Sequence, residues 1–245
     1  MWTWVYTGPM RRTTAGVTTT FGASDSLDAR IARADAHDPD RVARILEPMV
    51  TEVRRARLRD VIARRLGSVA VVFDRPYDPH NGAAVLRSCE AFGIQQLHVV
   101  ERPGVPFAVA SSVARGADKW VDVTCHGSPQ SVLAWARAAE MRLVAAHPSG
   151  EIEPHQLASY SRLALVLGNE REGIGSELEA ACQARVSVPM RGFAESLNVS
   201  VTAAILLHAA TEGRLGDIGQ HDRRRLYARG LYLSVERAED ILAIR

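Results

Sequence analysis

A mostly parallel α/β sheet with helices on both faces is the fold class this sequence predicts, and three observations predict it. Short apolar runs rich in β-branched residues recur at 69–73, 97–100, 120–123, 143–146, 163–167 and 186–188. Stretches with a helical apolar period stand between them, and such alternation implies crossover units and a parallel sheet. The runs are continuously apolar rather than alternating, as expected of strands buried on both faces.

Taken in order, residues 1–24 contain no acid, several threonines and Arg11-Arg12, without helical or strand period. They read as a flexible arm or an upstream mis-start, a transit peptide being the poorer alternative. From Pro39 the pattern turns helical and Pro48 interrupts it. Val50, Val53, Leu58, Val61, Ile62 and Leu66 then mark one face of an amphipathic helix whose other face carries arginines, and Gly67 closes it. Later helices are expected at 83–92, 130–140, 176–184 and 199–212. The expected organisation is a weakly structured arm over 1–49, a domain over 50–213 led by the basic helix, and a basic extension over 214–245. No repeat of fixed period is present.

A chain of 245 residues with 47% apolar content can bury one sizeable core. Thirty basic against 28 acidic residues leave a net charge of +2, and Lys119 is the only lysine, so the positive charge is almost all guanidinium, suited to phosphate and carboxylate. Arg54, Arg55 and Arg57 in one cluster and Arg223, Arg224 and Arg225 in another suggest a polyanionic partner, against the plainer reading of solvated helix faces. Cys89, Cys125 and Cys182 are widely spaced and odd in number, which fits a reducing cytoplasm. No apolar run reaches 18 residues and no secretion signal opens the chain, so a protein without membrane attachment is expected. The histidines show no ligand spacing beyond His208 with Glu212, so no catalytic metal is expected.

Two polar, glycine-bearing loops follow apolar runs: Gly168-Asn169-Glu170-Arg171-Glu172-Gly173, and Pro189 to Asn198. Loops at the carboxyl ends of parallel strands are where ligands bind in open α/β sheets, which makes the chain an expected enzyme. Two common phosphate cradles fail at the first loop. Gly168 and Gly173 have P-loop spacing, but Ile174 stands where the phosphate-reaching lysine is required. Gly173-Ile174-Gly175 opens like a dinucleotide fingerprint, yet Leu178 occupies the third glycine position.

Three blocks in order carry a more specific signal: Asp78-Pro79-His80-Asn81 with Arg87 and Ala91-Phe92-Gly93; Leu165-Val166-Leu167-Gly168-Asn169-Glu170; and Val188-Pro189-Met190 with Ser196-Leu197-Asn198-Val199-Ser200. Together they resemble the SpoU family of RNA ribose 2'-O-methyltransferases, within the SPOUT superfamily. The resemblance spans roughly residues 52–229. Within the family the TrmH type, which acts on guanosine-18 of tRNA, is most similar, because Gly116 to Val121, the Arg223 to Tyr232 tail and a short basic helix before the first strand look like theirs.

The resemblance implies S-adenosylmethionine as cofactor, tRNA as substrate with guanosine-18 in the D-loop as target, no DNA, a homodimer, and a trefoil knot that periodicity cannot reveal. It implies catalytic or positioning roles for Arg87, Asn81, Glu170, Ser196 and Asn198, and a cofactor pocket from Ala146, Leu167, Gly168, Val188, Met190 and Leu197. Ala146 stands where relatives often carry threonine, which removes a hydroxyl. Arg87 matches an arginine assigned as general base or as its partner through a substrate phosphate. A guanidinium normally only donates, so orienting the phosphate and hydroxyl, with the phosphate taking the proton, is the preferred role. Asn81 has a plainer reading as a helix N-cap, and Ser196 and Asn198 as caps of the helix from Val199. The apolar face Val199, Ala203, Leu206, Leu207 and Ala210 serves either core or dimer. The alternatives are a relative acting on ribosomal RNA or another tRNA ribose, and a non-catalytic RNA-binding protein of the same fold.

Overall fold

In a computed structural model, residues 27–108, 111–114 and 116–244 are described, and most of the expected arm, residues 1–26, lies outside them. The described chain divides into two compact units, one over 67–214 and the other joining 27–66 to 215–244.

The larger unit is built on six strands: β1 (Leu66–Asp74), β2 (Ile94–Val100), β3 (Asp122–His126), β4 (Arg142–Ala146), β5 (Leu163–Leu167) and β6 (Ala184–Val186). Their order is β3-β2-β1-β5-β4-β6. The pairs β1 with β5, β2 with β3, β4 with β5 and β4 with β6 are parallel, with Val69 opposite Leu163 and Phe73 opposite Leu167. β1 and β5 are both central and fully buried over 69–73 and 163–166, which explains why their sequences run apolar without alternation.

One sheet face, with Ala70, Val72, Val100, Ala164 and Val166, packs under α6 (Pro129–Ala138) and α7 (Ser176–Ala181) through Val132, Ala136 and Leu178. Val71, Phe73 and Leu165 point the other way and are equally buried. Beyond the sheet, α4 (Pro79–Ala91) packs against α8 (Val199–Thr211), and the short α5 (Ser111–Ala114) follows the loop after β2. Ala203, Leu206, Leu207 and Ala210 of α8 are fully buried within the chain, so this face is core.

Three boundaries differ from the sequence reading for local reasons. α4 starts at Pro79, not residue 83, because a proline at the first helical position lacks only an N–H that the helix leaves unpaired there, and Asp78 caps the turn by accepting from His80 N at 2.8 Å. β3 starts at Asp122, not Trp120, because Gly116 at φ +84° opens a 3₁₀ turn over Ala117–Lys119. β6 ends at Val186, where the chain from β4 takes over the pairing: His147 N donates to Val186 O at 3.0 Å.

The second unit corrects two expectations. Residues 27–49, expected to be weakly structured, form α1 (Leu27–Ala36), α2 (Pro39–Leu46) and a 3₁₀ turn, with Ile31, Val42 and Leu46 fully buried. Their partner is α9 (Gln220–Ser234), which α10 (Ala238–Ile244) follows. Arg229 of α9, completely buried, grips Asp35 through Nε at 2.8 Å and Nη2 at 2.5 Å. A fork of this kind holds only if both charges are satisfied, a long-range condition no local pattern reveals. The basic helix α3 (Glu52–Ala63) also belongs here rather than leading the sheet domain. Leu58 packs so close to Gly230 that a Cβ there would lie 2.7 Å from its Cδ2. Leu58 and Ile62 are buried as expected, but Val53 is 83% exposed and Arg65 only 2%.

Next to the edge strand β3, His98 of β2 is 4% exposed, stacks on Trp135 with ring centroids 3.5 Å apart, and places Nδ1 2.9 Å from His126 Nε2. Burial, with His126 adding to it, holds its pKa down to about 3. The unfolded chain takes up this proton near pH 6.5 and the folded one does not, so the stability is complete above that pH and is lost as pH falls toward 3. Near pH 5 the loss is about 2 kcal/mol. Urea unfolding near pH 7.5 and near pH 5 should show His98→Gln losing that much less than the parent chain; equal losses would remove His98 as the cause.

Candidate functional site

Where β5 ends, the chain must turn sharply while staying pressed against itself. Asn169 and Gly173 exchange backbone hydrogen bonds of 3.0 and 3.2 Å, and Asn169 Oδ1 accepts from Arg171 N at 3.0 Å and Glu172 N at 2.8 Å. Gly173 takes φ +71°, and a Cβ on Gly168 would lie 2.3 Å from Gly173 C. Both glycines are therefore required by geometry. The far end of the loop is tied to β1 by Asp74, 1% exposed, whose Oδ2 accepts from Gly175 N at 2.7 Å. The same carboxylate takes the Arg75 fork at 3.1 Å on each oxygen, which raises the Arg75 pKa above its ordinary value.

The loop after β6 ends in the N-cap of α8. Asn198 Oδ1 accepts from Ser200 N at 2.8 Å and Ser200 Oγ at 2.6 Å. Its Nδ2 donates to Asn81 Oδ1 at 3.1 Å, and Asn81 Nδ2 donates to Glu170 Oε1 at 2.6 Å. Glu170 Oε2 accepts from Tyr77 N at 3.2 Å. One chain of hydrogen bonds thus joins the loops after β1, β5 and β6. Its direction is fixed at both ends, because an ionised carboxylate only accepts and a backbone N–H only donates. Asn81, 8% exposed and inside the first turn of α4, is no N-cap; Asp78 holds that position.

Beside this chain lies a cleft of about 520 Å³ at the ends of β4, β5 and β6. Ala146, Leu167, Gly168, Val188, Met190 and Leu197 all line it, together with Asn169, Glu170, Ser196 and Asn198. The sheet order reverses at the central pair, where parallel sheets open a crevice for ligands. Apolar side chains and backbone suit a flat, weakly polar group. Asn169 Nδ2 is buried with no hydrogen-bond partner among the described residues, a donor left over for a ligand's acceptor. Arg87 is exposed on α4, six residues beyond Asn81, and makes no hydrogen bond or ion pair among the described residues. Ser196 is exposed at the cleft, two residues before the α8 cap.

The two arginine clusters lie in the other unit and have intramolecular contacts. Arg223 donates to Ile218 O and Gly216 O, and Arg225 stands 3.6 Å from Asp35. Arg54 contacts Ser234, Arg55 meets Glu52 at 2.5 Å, Arg57 lies 3.7 Å from Asp60, and Arg224 lies 3.3 Å from Asp40.

Sequence reasoning missed Asp74, Asn169 and Tyr77. An acid ending a buried apolar strand was a readable signal for Asp74, since it must find donors there. An asparagine two residues before a free amide favours an Asx turn, which was readable for Asn169. Nothing local marks Tyr77, whose contribution is a backbone N–H.

Gly168→Ala should destabilise the sheet unit by roughly 2–4 kcal/mol, because the clash is with backbone that cannot swing away. Gly192→Ala, with nothing within 4 Å of the added carbon, should be neutral. Denaturant unfolding of the two variants checks this, and similar midpoints would contradict the packing argument.

Residues 68–208 match the SpoU rRNA Methylase family. The tRNA (guanosine(18)-2'-O)-methyltransferase of Thermus thermophilus is 32% identical over 178 residues, covering 72% of this chain and 90% of that protein. The crystal structure of the A. aeolicus TrmH/SpoU tRNA modifying enzyme superposes with a TM-score of 0.68 at 26% identity, over 76% of this chain and 98% of that one. The SpoU methyltransferase AviRb from Streptomyces viridochromogenes, in complex with the cofactor AdoMet, superposes with a TM-score of 0.52 at 27% identity, over 63% of this chain and 62% of that one. The family match covers more than half of the 245 residues and contains β1 from its third residue and the other five strands whole, so this chain belongs to the SpoU rRNA methylase family.

Proposed function

We propose that this protein transfers a methyl group from S-adenosylmethionine to a ribose 2'-hydroxyl of RNA, with guanosine-18 of tRNA as the target. The observation that carries the reading is the hydrogen-bond chain from Glu170 through Asn81 and Asn198 beside the apolar cleft at the strand ends. The similarity to proteins that methylate guanosine-18 and to an AdoMet-bound relative supports both the reaction and the cofactor. When bound, the cofactor supplies an electrophilic methyl group on a sulfonium.

Leu167, Val188, Met190 and Leu197 offer the apolar walls for its adenosine, Gly168 and Ala146 the backbone contacts, and Asn169 Nδ2 a donor. The chain's own task is to hold a hydroxyl in line and let its proton leave. Rigid positioning of this kind contributes on the order of 7 kcal/mol in favourable cases. Glu170, Asn81 and Asn198 fix three loops against each other. Arg87 then orients the RNA phosphate beside the hydroxyl, and that phosphate takes the proton, since a guanidinium stays charged. Ser196 supplies a hydroxyl to the same phosphate.

The second unit supplies RNA contacts through exposed arginines. Surface ion pairs are worth only about 0–1 kcal/mol, so Arg57 and Arg224 exchange an acid for a phosphate at little cost, and the exposed Arg54 exchanges the Ser234 hydroxyl. Arg223 and Arg225 serve the α9 terminus first. Val201 and Ile205, 46% and 38% exposed on α8, with Leu197, form the apolar face for a second copy of the chain in a cytoplasmic homodimer. Among the described residues no helix is long and apolar enough to cross a membrane.

Incubated with labelled S-adenosylmethionine and an unmodified tRNA transcript, the protein should label guanosine-18, and a transcript carrying 2'-deoxyguanosine there should stay unlabelled. Label at another nucleotide would sink the target, and no label in any RNA the reaction. Arg87→Ala should reduce turnover on the order of 100-fold or more while calorimetric cofactor affinity stays within about twofold; lost cofactor binding would contradict the role. Replacing Arg54, Arg57 and Arg224 by Gln should flatten the salt dependence of RNA affinity by roughly 0.7–0.9 per contact removed, and an unchanged slope would exclude them.

A further inference from the structure

The loops that build the site also bring two arginines to one aromatic ring. The guanidinium carbons of Arg102 and Arg171 lie over the ring of Tyr77, 4.3 and 4.5 Å from its centroid. Each residue comes from a different loop: Tyr77 follows β1, Arg102 follows β2 and Arg171 follows β5. Four arginines of this unit are held by oxygen partners, Arg75 on Asp74, Arg185 on Glu151, Arg162 on Ala139 O and Arg214 on Ser161 O, whereas Arg87 has none among the described residues. Arg102 and Arg171 have no side-chain hydrogen bond or ion pair among the described residues. Two like charges are thus gathered on one ring, neither in an ion pair among the described residues.

Their placement is fixed rather than incidental. Glu101 Oε1 accepts from Phe107 N at 2.8 Å, and Glu101 N donates to His126 O at 2.9 Å, which anchors the loop carrying Arg102. Phe107, 5% exposed, rests on Gly82 of α4, where a Cβ would come within 2.9 Å of its ring. Arg171 N is bound by Asn169 Oδ1, and Tyr77 N by Glu170 Oε2, so the ring adjoins the chain that reaches Asn81. A ring face attracts a guanidinium plane and leaves the N–H edges facing outward. A pair of such edges grips phosphate oxygens bidentately, and their flat faces accept a stacked base.

We propose that Arg102, Tyr77 and Arg171 form an RNA-binding site that holds a nucleotide flanking the methylated one, two guanidinium groups taking its phosphates and the ring fixing their planes. This rests on the reading that the substrate is RNA. An unpaired nucleotide is the occupant, because it alone combines anionic oxygens with a flat face free to stack.

The test uses the full-length enzyme and an unmodified tRNA transcript at several salt concentrations. Arg102→Gln with Arg171→Gln should raise the KM for RNA about tenfold, leave kcat and calorimetric S-adenosylmethionine affinity within about twofold, and flatten the salt slope of RNA binding by roughly 0.7–0.9 for each charge removed. Tyr77→Leu keeps both charges, so it should raise KM with the slope unchanged, and Arg171→Lys should keep the slope. An active double Gln variant with parental KM and slope would overturn the site while leaving the methylation reading intact. A parent enzyme that neither binds nor methylates RNA would end both.

Discussion

The constraint on which the site depends is the hydrogen bond between Asn81 and Glu170, 2.6 Å long and 89 residues apart in sequence. It connects the first turn of α4 to the loop after β5. Asn198 extends it to the start of α8 at 3.1 Å. Loops at strand ends are individually free to move, and a site built from three of them needs a common reference. Here the reference is a nearly buried amide whose donor and acceptor are both used, so that displacing one loop leaves a polar group unpaired in the other two.

That amide works only because the backbone beneath it is fixed by packing. Gly168 is pressed against Gly173 and Gly175 is held by Asp74, which itself sits at the end of the fully buried β1. The hierarchy runs from apolar strands, through glycines that allow close approach, to a carboxylate that finds its donors across the β1–β5 pair. The polar site is thus a consequence of the central strand pair. A change in core packing at Phe73 or Leu167 would shift the loops that start from those strands and so the bonds they make to Asn81.

The sheet was legible because its strands are buried on both faces, which writes continuous apolar runs into the sequence, and the 163–167 strand came out with the boundaries observed. The cleft was legible for a different reason: its lining residues sit at strand ends and in loops whose glycines and caps have local signatures. What could not be read was set by distant partners. The Asp35 and Arg229 pair orders residues that look featureless up to Pro39, and Leu58 against Gly230 ties α3 to α9 within the second unit. The exposed Val53 shows the same limit, since a helical period marks apolar residues without saying whether another element arrives to cover them.

The choice of a neutral amide at the centre, with charges at the margins, follows from desolvation. A lysine or arginine in place of Asn81 would desolvate a charge at a position 8% exposed and offer Asn198 Nδ2 no acceptor, and an aliphatic residue would leave Glu170 Oε1 and Asn198 Nδ2 unpaired. An amide transmits orientation at the cost of neither. In the functional reading proposed above, the charges offered to an anionic ligand stay on Arg87, Arg102 and Arg171, away from that amide. Attraction and geometry are then carried by different side chains in that reading, so charge on the three arginines can vary without removing the bonds that Asn81 makes.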